Sequence, residues 1–193
     1  MKYTISDIFE GNYPVSQKYG NNPTYYQQFG LKGHEGVDWA TPVGIKLIVP
    51  FATGKILRTG WDPQYGYYIV IWDVTQKCAV WYCHLSSINV FAGQSIPRGK
   101  LVGYTGASGN VTGPHLHCNF VETDANANRL NTNNGYQGFL NILDTNLVTW
   151  QLASSTPTPV LTDQQKLAQI KTWGLDTTIP DSDFRYKVKT LIG

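Results

Sequence analysis

Between residues 30 and 122, short apolar stretches rich in Val, Ile, Tyr and Trp recur, each closed by turn-forming residues such as Gly, Pro and Asp. β-Branched and aromatic side chains suit a pleated, half-buried surface. The pattern therefore predicts strands over 46–50, 54–59, 67–72, 79–84, 101–105 and 115–122. No amphipathic helical repeat interrupts them. The predicted class is mostly β, a compact antiparallel sheet or sandwich domain. Residues 1–30, rich in Tyr, Asn and Gln, predict irregular chain wrapped on the sheet with one short helical turn. Residues 123–138 form a polar, turn-prone stretch, suited equally to a groove wall and to a plain surface loop.

The periodicity changes beyond residue 152. Ser, Thr and Pro dominate 153–160, which predicts an extended, solvated linker. Thr162-Asp163-Gln164-Gln165 reads as a capping box, with Leu167, Ile170 and Trp173 following at helical spacing and Gly174 as a stop. A second helix is expected from near Ser182, with Phe184, Val188, Leu191 and Ile192 on one face. The expected organisation is a domain over 1–152 with its motif core at about 30–122, the linker, and a small helical C-terminal appendage over 161–193. Two such helices are too short to be stable alone.

Composition narrows the function classes. With 41% apolar residues in 193, the chain can bury a proper core. A formal charge of +2 is too small to argue for a nucleic-acid partner. No apolar run approaches the roughly 18–20 residues that span a bilayer. Met1-Lys2-Tyr3-Thr4-Ile5-Ser6-Asp7 lacks an apolar h-region, so no secretory signal is visible. Of the three cysteines, Cys83 and Cys118 each adjoin a histidine. Strand alternation predicts that both turn away from those imidazoles into packing.

All four histidines fall into one pattern: His34-Glu35-Gly36-Val37-Asp38, then His84 before Leu85, then His115-Leu116-His117. Two imidazoles and a carboxylate can fill three corners of a tetrahedral zinc site and leave the fourth open, as catalytic sites require. Two histidines then remain for acid/base or oxyanion work. On a strand, His115 and His117 share a face. His34 and Asp38 do not sit on a helix, because Gly36 and Pro42 oppose one. Fully extended, they would stand about 13 Å apart at roughly 3.3 Å per residue. Zinc bonds are only about 2.0–2.2 Å, so a shared metal demands a bend, for which Gly36 is the natural position. Glu35 is not read as a general base of the H-E-x-x-H kind, since Asp38 follows and no helix does.

At these residues the chain resembles the lysostaphin-type zinc metallopeptidases, endopeptidases that cut peptide cross-links in bacterial peptidoglycan. The resemblance covers about residues 11–122. Gly33-His34-Glu35-Gly36-Val37-Asp38 is similar to G-H-x-G-[IV]-D, and Tyr82-Cys83-His84-Leu85 to Y-x-H-L. Gly103 through His117 is similar to the family's Gly/Ser/Thr loop ending in G-P-H-L-H. Gly54-Lys55-Ile56, Tyr65-Gly66-Tyr67 and Gly93-Gln94-Ser95-Ile96 resemble its smaller elements. Two departures stand out: Cys118-Asn119-Phe120 replaces the usual Phe/Leu-Glu, and Ser108-Gly109-Asn110 shifts the loop.

The resemblance implies a metallopeptidase domain holding one Zn2+ per chain through His34, Asp38 and His117. His84 and His115 become the catalytic pair, one serving as acid/base and the other as oxyanion donor in either order. It implies a zinc-dependent endopeptidase acting on cross-links or stem peptides of bacterial peptidoglycan, a phage-type or bacterial lysin working on the wall outside the cytoplasm. A phage-encoded, virion-associated or lysis-released protein would suit the missing signal. The competing readings are a non-enzymatic wall-binding or amidase-regulating member, and a structural phage-particle component. Intact positions at all five residues weigh against the non-enzymatic member. Trp39, Trp61 and Tyr104 are candidate groove walls, with core packing the equal alternative.

Overall fold

The structure is a computed structural model and describes residues 2–151. The linker and helices expected over 153–193 lie outside them. In chain order the strands are β1 (Tyr3–Ser6), β2 (Val15–Gln17), β3 (Val37–Trp39), β4 (Lys46–Ile48), β5 (Thr53–Asp62), β6 (Gly66–Asp73) and β7 (Cys78–Leu85). There follow β8 (Ser87–Ile88), β9 (Ser95–Pro97), β10 (Leu101–Tyr104), β11 (Leu116–Glu122), β12 (Phe139–Leu140) and β13 (Val148–Gln151). All six predicted strands are present, and the others are two to four residues long. The expected helical turn is α1 (Pro23–Tyr26), which passes into a 3-10 turn at Gln27–Phe29. Among the described residues, no helix is long and apolar enough to cross a membrane.

The main sheet runs β2-β3-β11-β7-β6-β5-β9, antiparallel throughout, with β12 also paired to β11. A three-stranded antiparallel sheet, β4-β10-β8, accompanies it. The β1–β13 pair departs from the antiparallel expectation: these two strands run parallel.

Alternation sorts the main sheet into two faces. Leu116, Cys118 and Phe120 of β11 join Val80 and Tyr82 of β7 and Ile69 and Ile71 of β6 in the principal core. The opposite face carries Val121, Ala79, Val70 and Trp72 in a second cluster, closed by Phe139. The polar 123–138 stretch covers this second face. Ala127 packs on it, and the Arg129 guanidinium lies 4.9 Å from the Phe139 ring centre and 5.7 Å from that of Trp81. Asp124 orders the start of the loop by accepting from the backbone N–H groups of Asn126 and Asn128. A loop of this length is held by its own Asx turns and by apolar anchors.

Candidate metal centre

The candidate site lies on the second face, beyond the end of that apolar cluster. Register places Asp38 of β3 directly across from His117 of β11, and His117 across from Cys83 of β7. Directly paired residues share a face. Asp38 and His117 therefore project together, while Val37, Trp39, Leu116 and Cys118 point into the core. His34 reaches the same point because the chain bends at Glu35 and Gly36 before β3 starts. Gly36 permits this by its missing side chain. A Cβ there would stand 2.7 Å from His117 Cε1 and 2.8 Å from the Cys118 carbonyl oxygen.

His84 arrives by a different route. Regular alternation from Cys83 would turn His84 into the core and Leu85 toward the site. Instead β7 carries an extra residue against β6, where Tyr67 pairs Leu85 and Ile69 pairs Tyr82. His84 adopts φ 61° there, a left-handed conformation uncommon for a side-chain-bearing residue. Bulges of this kind re-aim side chains beside functional sites. The parity change sends Leu85 into the principal core and presents the His84 ring 4.7 Å from that of His115. It also corrects the expectation for Cys83, which shares the face of His117 instead of packing away from it. Cys83 is fully buried, and burial raises its thiol well above the ordinary range. Cys118 follows the expected direction.

His34 Nε2, His117 Nδ1 and one Asp38 oxygen converge. His117 Nδ1 is 2.9 Å from Asp38 Oδ1, His34 Nε2 is 3.3 Å from the same oxygen, and the two nitrogens are 2.9 Å apart. Tetrahedral ligands on bonds of about 2.0–2.1 Å stand roughly 3.3–3.4 Å apart, so the triangle is close to a ligand face. No placement of protons makes all three short contacts good hydrogen bonds, whereas one cation satisfies all three. The residues fit a metal.

Each imidazole is also held from behind. His34 Nδ1 faces the Lys18 carbonyl at 3.3 Å, and His117 Nε2 faces Asn119 Oδ1 at 2.9 Å. His84 Nδ1 faces the Ser108 carbonyl at 2.8 Å, and His115 Nδ1 faces that of Gly113 at 2.9 Å. Each of these acceptors calls for an N–H, which leaves the other ring nitrogen with a free lone pair. His84 and His115 thus present Nε2 beside the triangle, with His115 Nε2 3.9 Å from Asp38 Oδ1. When His117 Nδ1 and His34 Nε2 carry protons instead, burial would raise the Asp38 carboxyl, but their hydrogen bonds and charge outweigh it and hold the group well below the carboxylate range. Burial, reinforced by His117, pushes the His84 imidazole down to about 4, so the ring is neutral at physiological pH.

Two cavities, of about 370 and 500 Å³, meet at the site and share Tyr25, Tyr26, His84, Asn110 and His117. The first is walled further by Phe29 and Tyr65, and the second by small or neutral residues including Ser16, Thr112 and Gly113. Tyr26 leans over His34 with ring centres 5.4 Å apart. The expected groove aromatics are not these. Trp39 is buried in the core against Phe9, Trp61 is exposed, and neither they nor Tyr104 line either cavity. Of the 123–138 loop, Gln137 alone reaches a cavity wall. Sequence reasoning missed Tyr25, Tyr26 and Tyr65. Clustering of Tyr and Phe at 25–29, too polar around it for core, was the available signal.

Residues 32–131 match the family described as Peptidase family M23. The chain is 35% identical over 100 residues to the peptidoglycan DD-endopeptidase ShyA of Vibrio cholerae, covering 52% of this chain and 23% of that protein. It is 36% identical over 111 residues to the glycyl-glycine endopeptidase ALE-1 of Staphylococcus capitis, covering 55% and 28%. It therefore spans about a quarter of the length of these relatives. Among solved structures it is similar to the catalytic domain of lysostaphin from Staphylococcus simulans, with a TM-score of 0.55 and 26% identity over 68% of this chain and 90% of that one. The match extends over half of the chain and takes in His34, Asp38, His84, His115 and His117, so the protein belongs to Peptidase family M23.

Proposed function

We propose that the chain is a zinc-dependent endopeptidase that hydrolyses peptide cross-links or stem peptides of bacterial peptidoglycan. The observation that carries this reading is the pairing of a three-donor triangle with two imidazoles whose free nitrogens face the same groove. His34 Nε2, Asp38 Oδ1 and His117 Nδ1 would hold the zinc. When bound, zinc supplies Lewis acidity, polarising a scissile carbonyl and acidifying water to a pKa of about 7. One of His84 Nε2 and His115 Nε2, in either order, accepts a proton from the attacking water and returns one to the departing amine. The protonated partner donates to the oxyanion, and their backbone acceptors keep both rings aimed throughout. The two cavities meet at the site, one walled further by Phe29 and Tyr65 and the other by small residues such as Ser16, Thr112 and Gly113, which suits a peptide held across it.

The relatives' names support peptidoglycan as the substrate, one acting as a DD-endopeptidase and one on glycyl-glycine bonds. On this reading the chain acts on the wall outside the cytoplasm, as a phage-type or bacterial lysin. The described β unit serves as the catalytic domain.

The decisive experiment combines metal analysis with wall clearing and defined cross-link peptides. The expected outcome is about one zinc per chain, hydrolysis that a chelator abolishes, and recovery on adding zinc. Full hydrolysis by a preparation proven metal-free would overturn the reading.

A further inference from the structure

His117 is the most confined of the four imidazoles. Its Nδ1 faces the metal triangle, and its Nε2 points back to two different residues. Asn119, on the same face of β11, accepts the Nε2–H at 2.9 Å. The Glu35 Oε1 atom stands 3.8 Å from the same nitrogen, beyond hydrogen-bond reach but well within the range of its charge. Glu35 is only 6% exposed. One of its oxygens accepts from the Tyr65 hydroxyl at 3.0 Å, and the other is buried with no partner among the described residues. Burial first, then the charge of Glu35, raises the Tyr65 hydroxyl above its ordinary range, so it stays a donor.

This arrangement is costly. A buried carboxylate with half its acceptor capacity unused destabilises the fold, and an amide there would carry no charge to desolvate. The Asn119 amide nitrogen is likewise buried without an acceptor among the described residues. Turning that amide over would pair its N–H2 with His117, but would then force the ring proton onto Nδ1, where the metal must bind. The observed orientation is the one that keeps Nδ1 open.

We propose that Glu35 is a positioning residue for His117 and that the outer support of this imidazole is divided. Neutral Asn119 supplies the hydrogen bond that sets the tautomer. Glu35, braced by Tyr65, supplies the negative charge that strengthens Nδ1 as a donor to the metal. The proposal rests on the reading of His117 as a zinc ligand. It assigns Glu35 a place behind the ligand, not that of a base in front of it.

The test is zinc affinity of the full chain by competition with a chelator, alongside the melting temperature of the zinc-free protein. Glu35→Gln is expected to weaken zinc binding about 10- to 100-fold, the usual effect of losing an outer partner. Its zinc-free melting temperature should hold or rise. Adding Asn119→Asp to Glu35→Gln returns a charge to the same nitrogen and should recover most of the affinity. Glu35→Asp, which withdraws the carboxylate by one methylene, should give a smaller loss and serves if the glutamine variant does not fold. Unchanged zinc affinity in Glu35→Gln overturns the proposal, as does a loss that Asn119→Asp leaves unrepaired. Wild-type protein that binds zinc no better than His34→Ala overturns the metal reading itself. Tight wild-type binding with an indifferent Glu35→Gln removes only the role of Glu35.

Discussion

Four imidazoles meet within one site, and the directions of their free nitrogens sort them into two pairs. His34 and His117 direct their free nitrogens at a carboxylate they share, whereas His84 and His115 direct theirs at open groove. Substitution should split them accordingly. His34→Ala, Asp38→Ala and His117→Ala are expected to lose zinc and activity together. His84→Ala and His115→Ala should keep the metal and lose turnover on the order of a hundred- to thousand-fold, the usual cost of removing a transition-state donor. Metal content by elemental analysis beside single-substrate kinetics reads both quantities. If His115→Ala lost zinc while His117→Ala retained it, the roles within the H-x-H would be reversed.

At the scale of elements, the short β3 strand and the bulge in β7 build the site. Gly36 sits where β3 meets β11, and its lack of a side chain lets His117 and the Cys118 carbonyl approach. Gly36→Ala should therefore destabilise the fold by about 1–3 kcal/mol, as overpacking of a closed site does, and weaken zinc binding with it. Urea unfolding with and without zinc measures both. A variant as stable and as zinc-tight as the wild type would show that the strands part at no cost. The long strands were legible in the sequence because Val-, Ile- and Tyr-rich runs ended at clear turns. Val37–Trp39 was not, since three residues beside a glycine give no period. The H-x-H was legible as a shared face because β11 is regular there. The bulge at His84 was invisible, because nothing in Tyr82-Cys83-His84-Leu85 announces a change of parity, and the expected direction of Cys83 failed with it. The bend does fall at Gly36, and the physical reason is close approach and not an unusual φ.

For the whole molecule, the question is whether residues 2–151 suffice for the proposed catalysis. Two apolar clusters and three sheets close within that span. A chain ending after Thr156 is therefore expected to fold, to bind zinc and to cut soluble cross-link peptides at the rate of the full chain, while clearing intact walls less well. Melting temperature and peptide turnover compared between the two chains check this. A drop of many degrees, or an insoluble short form, would show that the C-terminal segment belongs to the catalytic fold.

The parallel pairing of β1 with β13 has a mechanical consequence. Tyr3 lies beside Val148, and the rungs continue in step to Ser6 beside Gln151. Tension applied at residue 2 and residue 151 pulls the two strands in opposite directions along their length. Every rung is then loaded together, in shear, and none can be peeled open ahead of the others. An antiparallel pair gripped at its open end yields one rung at a time. A molecule stretched between those two points by optical tweezers should rupture at a markedly higher force than one gripped at Gly66 and Leu85, across the paired ends of β6 and β7. Equal rupture forces would show that the β1–β13 rungs bear no load.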